Sequence, residues 1–296
     1  QYFMNQGLGQ FSLSKIPAIV SMAYVKLYFY YIAYHYLLLN NGRVPFSCLS
    51  ISILSIVHIG LSRGTSFEFF EMFIYMIVLV LVKIVMTDRL PLRTFLKVVG
   101  SMFLVLFAYN FNVELRYAES GGYAISCHTS LCPDPESLMS NYFPSLSALT
   151  FKLSGYFNFG YLYLSELLSR MVDRNPLMFV LPASLMGVQW ADTVICQENV
   201  LSCGAMWIPP LERYIFDFSF FGVFILTFVI GAYSSVLFQS YLMTRSFFAL
   251  LMLYLNILIV FSLPIGFLFS TSSANVILYS ILCLYFFWIS ILRRRH

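Results

Sequence analysis

The segment HIGLSRGTSFEFFE, residues 58–71, is a short polar stretch with a long apolar run on either side. Each run is long enough to cross a bilayer, because a membrane helix needs about 20 predominantly apolar residues. The segment therefore predicts two membrane helices that meet at a tight turn. That turn carries Arg63, and the carboxylates of Glu68 and Glu71 follow one and two helical turns further on.

A cluster of ionisable groups at this boundary predicts a functional site, because each such group at membrane depth costs about 2.5–3.5 kcal/mol on insertion scales. A structural interpretation stands beside it. The Arg63 side chain would reach the lipid headgroups, and Thr65 with Glu68 has the spacing of a capping box that begins a helix.

The composition indicates a multispanning membrane protein. Of the 296 residues, 60% are hydrophobic and only 10% are charged, against about 25% charged residues in soluble domains. The net charge of +4 does not indicate a nucleic-acid partner, because the basic residues are scattered among apolar runs and gathered at their ends.

The predicted fold is an all-α integral membrane bundle of about seven spans. The apolar runs that define these spans are 17–39, 44–61, 66–86, 92–110, 214–237, 247–269 and 274–292. The chain begins at Gln1, and its first 15 residues have no signal-peptide pattern. We expect a fragment that lacks upstream helices.

The chain divides into three regions by composition. Residues 1–110 hold an N-terminal segment and four spans, residues 111–212 form a large extracytoplasmic region, and residues 213–296 hold three spans and a basic tail. Within the middle region, 143–190 is apolar but interrupted by charged and polar residues, which favours re-entrant or interfacial helices.

The basic residues of the short connections predict the orientation, because such residues stay in the cytoplasm. The terminal Arg293, Arg294 and Arg295 place the C-terminus inside. Counting spans backward places the two cysteine-containing loops and the Arg63 turn outside. These loops would then lie on the outer side of the membrane, in an oxidising compartment such as a periplasm.

Four of the six cysteines lie as close pairs in these polar loops, Cys127 with Cys132 and Cys196 with Cys203. Such pairs predict local disulfides in an oxidising compartment. Free thiols remain an alternative, and a zinc site is a third one, although the spacings fit a zinc knuckle poorly. Cys48 and Cys283 lie in apolar runs and are typical of small core residues.

No soluble catalytic motif is present, and no metal or cofactor is expected. The four histidines are too dispersed for a metal site. His58 lies five residues before Arg63, so we include it among the catalytic candidates with Arg63, Glu68 and Glu71. The alternative is that His58 is a satisfied core histidine.

The predicted outer side gathers cations that suit phosphate binding, since a guanidinium group binds phosphate in bidentate fashion. A neighbouring carboxylate would deprotonate a sugar hydroxyl, and fixed cations would stabilise a diphosphate leaving group. Alternatively, the loop arginines are solvated charges. The candidate substrate-binding residues are Arg116, Lys152, Tyr156, Asn158, Arg170 and Arg174.

The first span holds an unusual lysine. Lys26 lies about ten residues into an apolar run, where a cation needs a partner or a wet cavity. Four tyrosines surround it at near-helical spacing, namely Tyr24, Tyr28, Tyr31 and Tyr34. Interface-belt and core packing account for these rings without a ligand.

The chain resembles the Wzy-type O-antigen polymerases, also called oligosaccharide repeat unit polymerases. The resemblance rests on residues 62–71 between two spans, and on 154–160 followed by 182–187 after a large outward loop. It implies a glycosyltransferase of lipopolysaccharide biosynthesis that transfers a growing glycan from undecaprenyl diphosphate to a lipid-linked repeat unit at the outer face of the bacterial inner (plasma) membrane, with the cysteine loops in the periplasm. A chain-length regulator would be a further partner.

By the same resemblance, Arg63 would hold the donor diphosphate, and Arg116, Arg170 or Arg174 would add contacts. Glu68 or Glu71 would orient Arg63 or act as the base. The chain departs from the family in having fewer spans than such polymerases usually have. Alternative functions are a flippase or other carrier of lipid-linked oligosaccharide, an O-antigen ligase-like transferase, and a non-enzymatic assembly component.

Overall fold

A computed structural model of the chain describes residues 16–39, 44–63, 67–87, 96, 99–100, 103, 107, 136–142, 147, 150, 210–262 and 273–294. Every regular element in these ranges is a helix, and the ranges contain no strand. The predicted all-α class is therefore confirmed for this part of the chain.

The described elements are seven α-helices and one π-helical turn. They are α1 (Ile16–Tyr34), which continues as the π-helical turn His35–Leu39, then α2 (Phe46–Arg63), α3 (Phe67–Thr87), α4 (Leu138–Tyr142), α5 (Pro210–Thr244), α6 (Phe247–Ser262) and α7 (Ser273–Arg294). Because α2 ends at Arg63 and α3 begins at Phe67, the predicted helix boundary at the polar segment is confirmed.

Within the described ranges, three stretches are long and apolar enough to cross a membrane, namely Ile16–Leu39, Glu68–Thr87 and Phe221–Thr244. Three shorter apolar stretches overlap further predicted spans, and these are Phe46–Ser62, Phe247–Phe261 and Ala274–Trp288. The predicted span 92–110 falls largely outside the described residues, although the residues described within it are helical. The count of about seven spans stays a prediction.

Helix α5 carries an exposed aromatic stripe. Phe221, Phe224 and Phe228 are 72%, 66% and 70% exposed, and their spacing of three and four residues places them on one side of the helix. A contiguous apolar surface of this kind is unfavourable in water. The stripe is typical of a helix that faces lipid.

Helix α1 packs against α2, α3 and α7. Its buried residues include Phe29 and Ala33, which are both fully enclosed. The π-helical turn that follows α1 leaves the carbonyl of Leu38 accessible to the ammonium group of Lys83, which donates a 3.3 Å hydrogen bond to it from α3. The far end of α3 is thereby joined to the end of α1.

Two described residues, one inside α5 and one directly after it, have positive φ. Ser219 (φ 65°) interrupts the helix, and its hydroxyl accepts a hydrogen bond from the N–H of Gly222 at 3.4 Å, as an N-cap does. Arg245 (φ 52°) ends the helix in a left-handed conformation, and its N–H donates to the carbonyl of Tyr241 at 2.8 Å. A short turn then leads into α6.

The chain divides into two compact units. The first comprises Gln1–Tyr109, Phe228–Leu258 and Phe269–His296, and the second comprises Asn110–Thr227 and Ile259–Leu268. The predicted re-entrant or interfacial helices of 143–190 lie outside the described residues, apart from positions 147 and 150. The candidate site described next lies wholly in the first unit.

Candidate functional site

A buried ion pair joins the first and third helices. The ammonium group of Lys26 on α1 contacts Oε2 of Glu71 on α3. Asn275 on α7 completes a triad, because its Oδ1 accepts from Lys26 at 3.3 Å and its Nδ2 donates to Oε1 of Glu71. Both carboxylate oxygens of Glu71 therefore have a donor, and the three side chains tie three helices together.

A second carboxylate, Glu68, lies one turn before Glu71 on the same helix. Both side chains are buried, with Glu68 0% and Glu71 4% exposed. The two negative charges repel each other, whereas Lys26 attracts Glu71. Their place at the N-terminal end of α3 favours negative charge, because the backbone N–H groups of the first turns point toward that end.

Three tyrosines pack beneath the triad. Tyr30 of α1, Tyr75 of α3 and Tyr254 of α6 are all buried, and their ring centroids lie 4.7–5.2 Å apart. Tyr75 and Tyr30 each lie four residues, about one helical turn, beyond Glu71 and Lys26. The rings therefore close the polar cluster on the side toward the C-terminal end of α3.

The tyrosine hydroxyls fix the backbones of the same helices. The hydroxyl of Tyr75 donates to the carbonyl of Tyr30 at 2.8 Å, and that of Tyr254 donates to the carbonyl of Glu71 at 2.9 Å. The buried hydroxyls of Tyr75 and Tyr254 thus both have an acceptor, as burial requires. The second of these bonds adds α6 to the helices that hold the start of α3.

Helices α1 and α3 run in the same direction. Three contacts between them, Lys26 with Glu71, Tyr30 with Tyr75 and Leu38 with Lys83, all join residues 45 positions apart. A constant offset of this kind arises only when the two helices are parallel. Helix α2 connects them, so the order α1, α2, α3 alternates in direction, as successive membrane spans do.

The triad lies near the N-terminal ends of two helices. Glu71 is four residues into α3 and Asn275 two residues into α7, which corresponds to about 6 Å and about 3 Å along the axes at 1.5 Å per residue. Arg63 is the last residue of α2, and residues 64–66 connect it to α3. The polar cluster is therefore within two helical turns of the segment that joins α2 to α3.

The four predicted catalytic residues are placed as follows. Glu68 and Glu71 lie together in the buried cluster, and Arg63 ends the preceding helix. His58 is exposed on α2, so the alternative that it is a buried core histidine is wrong. The catalytic roles of these residues stay predictions.

The predicted substrate-binding residues Arg116, Lys152, Tyr156, Asn158, Arg170 and Arg174 lie outside the described residues, as do Cys127, Cys132, Cys196 and Cys203. Cys48 and Cys283 have free thiols and are partly buried. Among the described residues, no three His, Cys, Asp or Glu side chains are grouped as a metal site would require.

The sequence correctly indicated that Lys26 needs a partner, and that prediction is confirmed by Glu71. It did not indicate Asn275, Tyr75 or Tyr254 as members of the same cluster. The sequence carried little signal for Asn275, because this residue follows the polar segment 271–273 at the very start of the predicted span 274–292.

The described part of the chain therefore defines a class, an all-helical protein with three candidate membrane spans and an ion-paired polar cluster buried among its helices. The sequence matches no protein-family model, and no curated protein or solved structure is similar to it at a significant level. The resemblance to Wzy-type polymerases therefore rests on the sequence of residues 62–71, 154–160 and 182–187 alone.

Proposed function

We propose that the chain is an oligosaccharide repeat unit polymerase of the bacterial inner membrane. Its donor would be a growing glycan on undecaprenyl diphosphate, and its acceptor the non-reducing end of a new lipid-linked repeat unit. The observation that carries the proposal is the pair of buried carboxylates, Glu68 and Glu71, at the start of a candidate span that directly follows the helix ending in Arg63.

In the proposed reaction, a carboxylate of α3 acts as the base and Arg63 binds the leaving diphosphate. A hydroxyl of the acceptor sugar attacks the anomeric carbon of the donor, a carboxylate accepts the hydroxyl proton, and the bond between that carbon and the diphosphate oxygen breaks. Undecaprenyl diphosphate leaves with the bonding electrons. Arg63 would neutralise the charge that develops on it, since a fixed cation stabilises such charge best where water is excluded.

The proposed topology has about seven spans, cysteine loops in the periplasm and a cytoplasmic C-terminus. The alternating direction of α1, α2 and α3 and the hydrogen bond from Asn275 to Glu71 support it, because both are expected of a bundle in which the α2–α3 connection and the start of α7 share one side of the membrane. The substrate would then reach the cluster from the side opposite the terminal arginines.

A carrier of lipid-linked oligosaccharide is a second candidate. The ion pair of Lys26 and Glu71 favours it, because paired ionisable residues inside membrane helices also mark transport pathways. The two functions differ in their products. A carrier defect removes even the single repeat unit from the cell surface, whereas a polymerase defect leaves single units and removes the long chains.

The test is the glycan ladder made by cells with the intact gene, without it, and with Arg63→Lys. The Arg63→Lys change keeps the charge but removes the bidentate fork, so long chains should fall sharply while single units persist. Arg245→Lys is the matched control, because Arg245 lies in the α5–α6 turn and its guanidinium stacks over Tyr241. Its ladder should stay near wild type.

Long chains that persist in Arg63→Lys cells would contradict the role of Arg63 as phosphate anchor. Loss of the single-unit product on gene deletion would favour the carrier. An unchanged ladder on deletion would contradict both functions.

A further inference from the structure

We propose that Lys83 and Arg245 form a binding site for the phosphate group of an anionic phospholipid, at the end of the first unit away from the ion-paired triad. The inference is independent of the proposed reaction, because it assigns a ligand to two cations that the reaction does not use. In the proposed topology this end faces the cytoplasm, where anionic lipids give the membrane a negative surface potential that attracts basic residues.

Three helices end, and one begins, around a common set of contacts. Near the end of α5, the Tyr241 hydroxyl donates to Sδ of Met86, near the end of α3, at 3.5 Å. At the end of α1, the Tyr34 hydroxyl donates to the main-chain carbonyl of Arg245 at 2.5 Å. Phe247, the first residue of α6, packs against the Tyr34 ring with a centroid distance of 5.4 Å. The ends of α1, α3 and α5 therefore lie together with the start of α6.

Both cations lie close to the contact between Tyr241 and Met86. Lys83 precedes Met86 by three residues, which places the two on one side of α3. The Lys83 ammonium donates to the Leu38 carbonyl at 3.3 Å, near the end of the π-helical turn. The Arg245 guanidinium lies over the Tyr241 ring, 5.9 Å from its centre. The two positive charges are therefore held at the same junction of helix ends.

No negative charge balances these cations in the described part of the chain, where neither forms an ion pair. The described carboxylates of the first unit are Glu68 and Glu71, which lie at the opposite end of α3 from Lys83. Arg245 is exposed, and its described side-chain contact is with Tyr241, so most of its N–H donors are available to a ligand. Lys83 is only 8% exposed, and an anion nearby would offset the cost of burying its charge.

The surroundings of Arg245 indicate that the anion belongs to a lipid. Met243 and Phe248, on either side of it in the chain, are 80% and 41% exposed. Phe248 packs against Tyr285 of α7 with a centroid distance of 5.2 Å, and Trp288 is exposed three residues further along α7. Exposed Tyr and Trp side chains near a helix end are typical of the bilayer interface, where phospholipid headgroups lie. The acyl chains of a lipid bound here would cover the neighbouring apolar side chains.

The experiment titrates the purified chain in a neutral detergent with three probes. They are phosphatidylglycerol as the anionic lipid, phosphatidylcholine as the zwitterionic control, and inorganic phosphate as the free anion. Native mass spectrometry counts the bound lipid, and thermal unfolding is followed in parallel. We expect wild type to bind phosphatidylglycerol at least about tenfold more tightly than phosphatidylcholine, because each cation contributes about fivefold to the affinity for an anionic lipid. Inorganic phosphate should bind more weakly than the lipid, since it has no apolar part to bury.

Two variants remove one charge each. Arg245→Gln and Lys83→Met should each lower the affinity for phosphatidylglycerol about fivefold and leave the affinity for phosphatidylcholine unchanged. Arg245→Lys is the matched control, because it keeps the charge and should lose less than Arg245→Gln. Arg245 is exposed, so Arg245→Gln should fold like wild type and decides the question even if Lys83→Met does not fold.

Equal binding of the two lipids by wild type would overturn the proposal. So would an undiminished affinity for phosphatidylglycerol in Arg245→Gln, because the lipid would then bind elsewhere. If inorganic phosphate stabilises the protein as much as phosphatidylglycerol does, the site takes a free anion, and the assignment to a lipid is wrong. None of these measurements uses the glycan ladder, so their outcome is separate from that of the proposed function.

Discussion

Lys26 on α1 and Glu71 on α3 form a buried ion pair between residues 45 positions apart. Asn275, which is 249 positions from Lys26, closes the triad. One helical turn beyond the pair, the rings of Tyr30, Tyr75 and Tyr254 pack together and cover it on that side. Its stability therefore depends on both charges being present, because neither can be solvated by water from the tyrosine side.

Removing only the lysine should be strongly destabilising. We expect Lys26→Met to lower the free energy of unfolding by about 3–5 kcal/mol, because it leaves the Glu71 carboxylate as an uncompensated buried charge. Chemical denaturation in detergent measures the change. In the described part of the chain, Lys83 makes one hydrogen bond, to a main-chain carbonyl, and no ion pair.

Lys83→Met is therefore the control, and it should cost less, about 1.5–3 kcal/mol for one hydrogen bond from a charged donor. Equal losses at Lys26 and Lys83 would contradict the special role of the ion pair.

For the contact between α1 and α3 below the triad, we expect a smaller change in the free energy of unfolding. Tyr75→Phe removes the hydroxyl that donates to the Tyr30 carbonyl and leaves the ring packing in place. We expect a loss of about 0.5–1.5 kcal/mol in the free energy of unfolding. Tyr24→Phe, on the exposed side of α1 where the side chain is 68% exposed, should change it by much less. A reversed order would mean that the hydroxyl of Tyr75 does not stabilise this contact.

The boundaries of the helices at residues 58–71 were predictable because they follow from local chemistry. A polar, glycine-containing stretch between two apolar runs has to be a turn, and the structure ends α2 at Arg63 and begins α3 at Phe67. The need of Lys26 for a partner was predictable for the same reason, since the cost of an isolated buried cation is independent of the fold.

The identity of that partner was not predictable. It depends on the offset between α1 and α3 and on the approach of α7, which are set by packing between segments far apart in the sequence. The tyrosine pattern of α1 shows the same limit. Tyr24, Tyr28 and Tyr31 are exposed, whereas Tyr34 of the same pattern and Tyr30 outside it are buried. Lipid is as apolar as the protein core, so the spacing of apolar residues in a span does not reveal its inward face.

Two asparagines in neighbouring helices provide a matched comparison of buried amides. Asn275 bonds to both members of the ion pair, whereas Asn256 accepts one 3.0 Å hydrogen bond from Tyr279. In the described part of the chain, the buried Nδ2 of Asn256 has no hydrogen-bond partner.

Removing Asn256 should therefore cost little. A buried unsatisfied donor destabilises by about 1–3 kcal/mol, so Asn256→Leu removes a penalty along with the bond from Tyr279. We expect it to change the free energy of unfolding by about 1 kcal/mol or less, while Asn275→Leu destabilises by more because Glu71 loses a donor. Denaturation of both variants side by side decides this, and a larger loss for Asn256→Leu would contradict the role of Asn275 in the triad.

The two cysteine pairs of the polar loops, which lie outside the described residues, predict a pattern of thiol labelling. In intact cells under non-reducing conditions, Cys127 and Cys203 should resist a membrane-impermeant thiol reagent, because disulfides in an oxidising compartment leave no thiolate to react. Cys132→Ser should make Cys127 reactive and leave Cys203 protected, since pairing is expected within each loop. Ready labelling of Cys127 without reduction would contradict the disulfides, and exposure of Cys203 by Cys132→Ser would mean that the pairing runs across the loops.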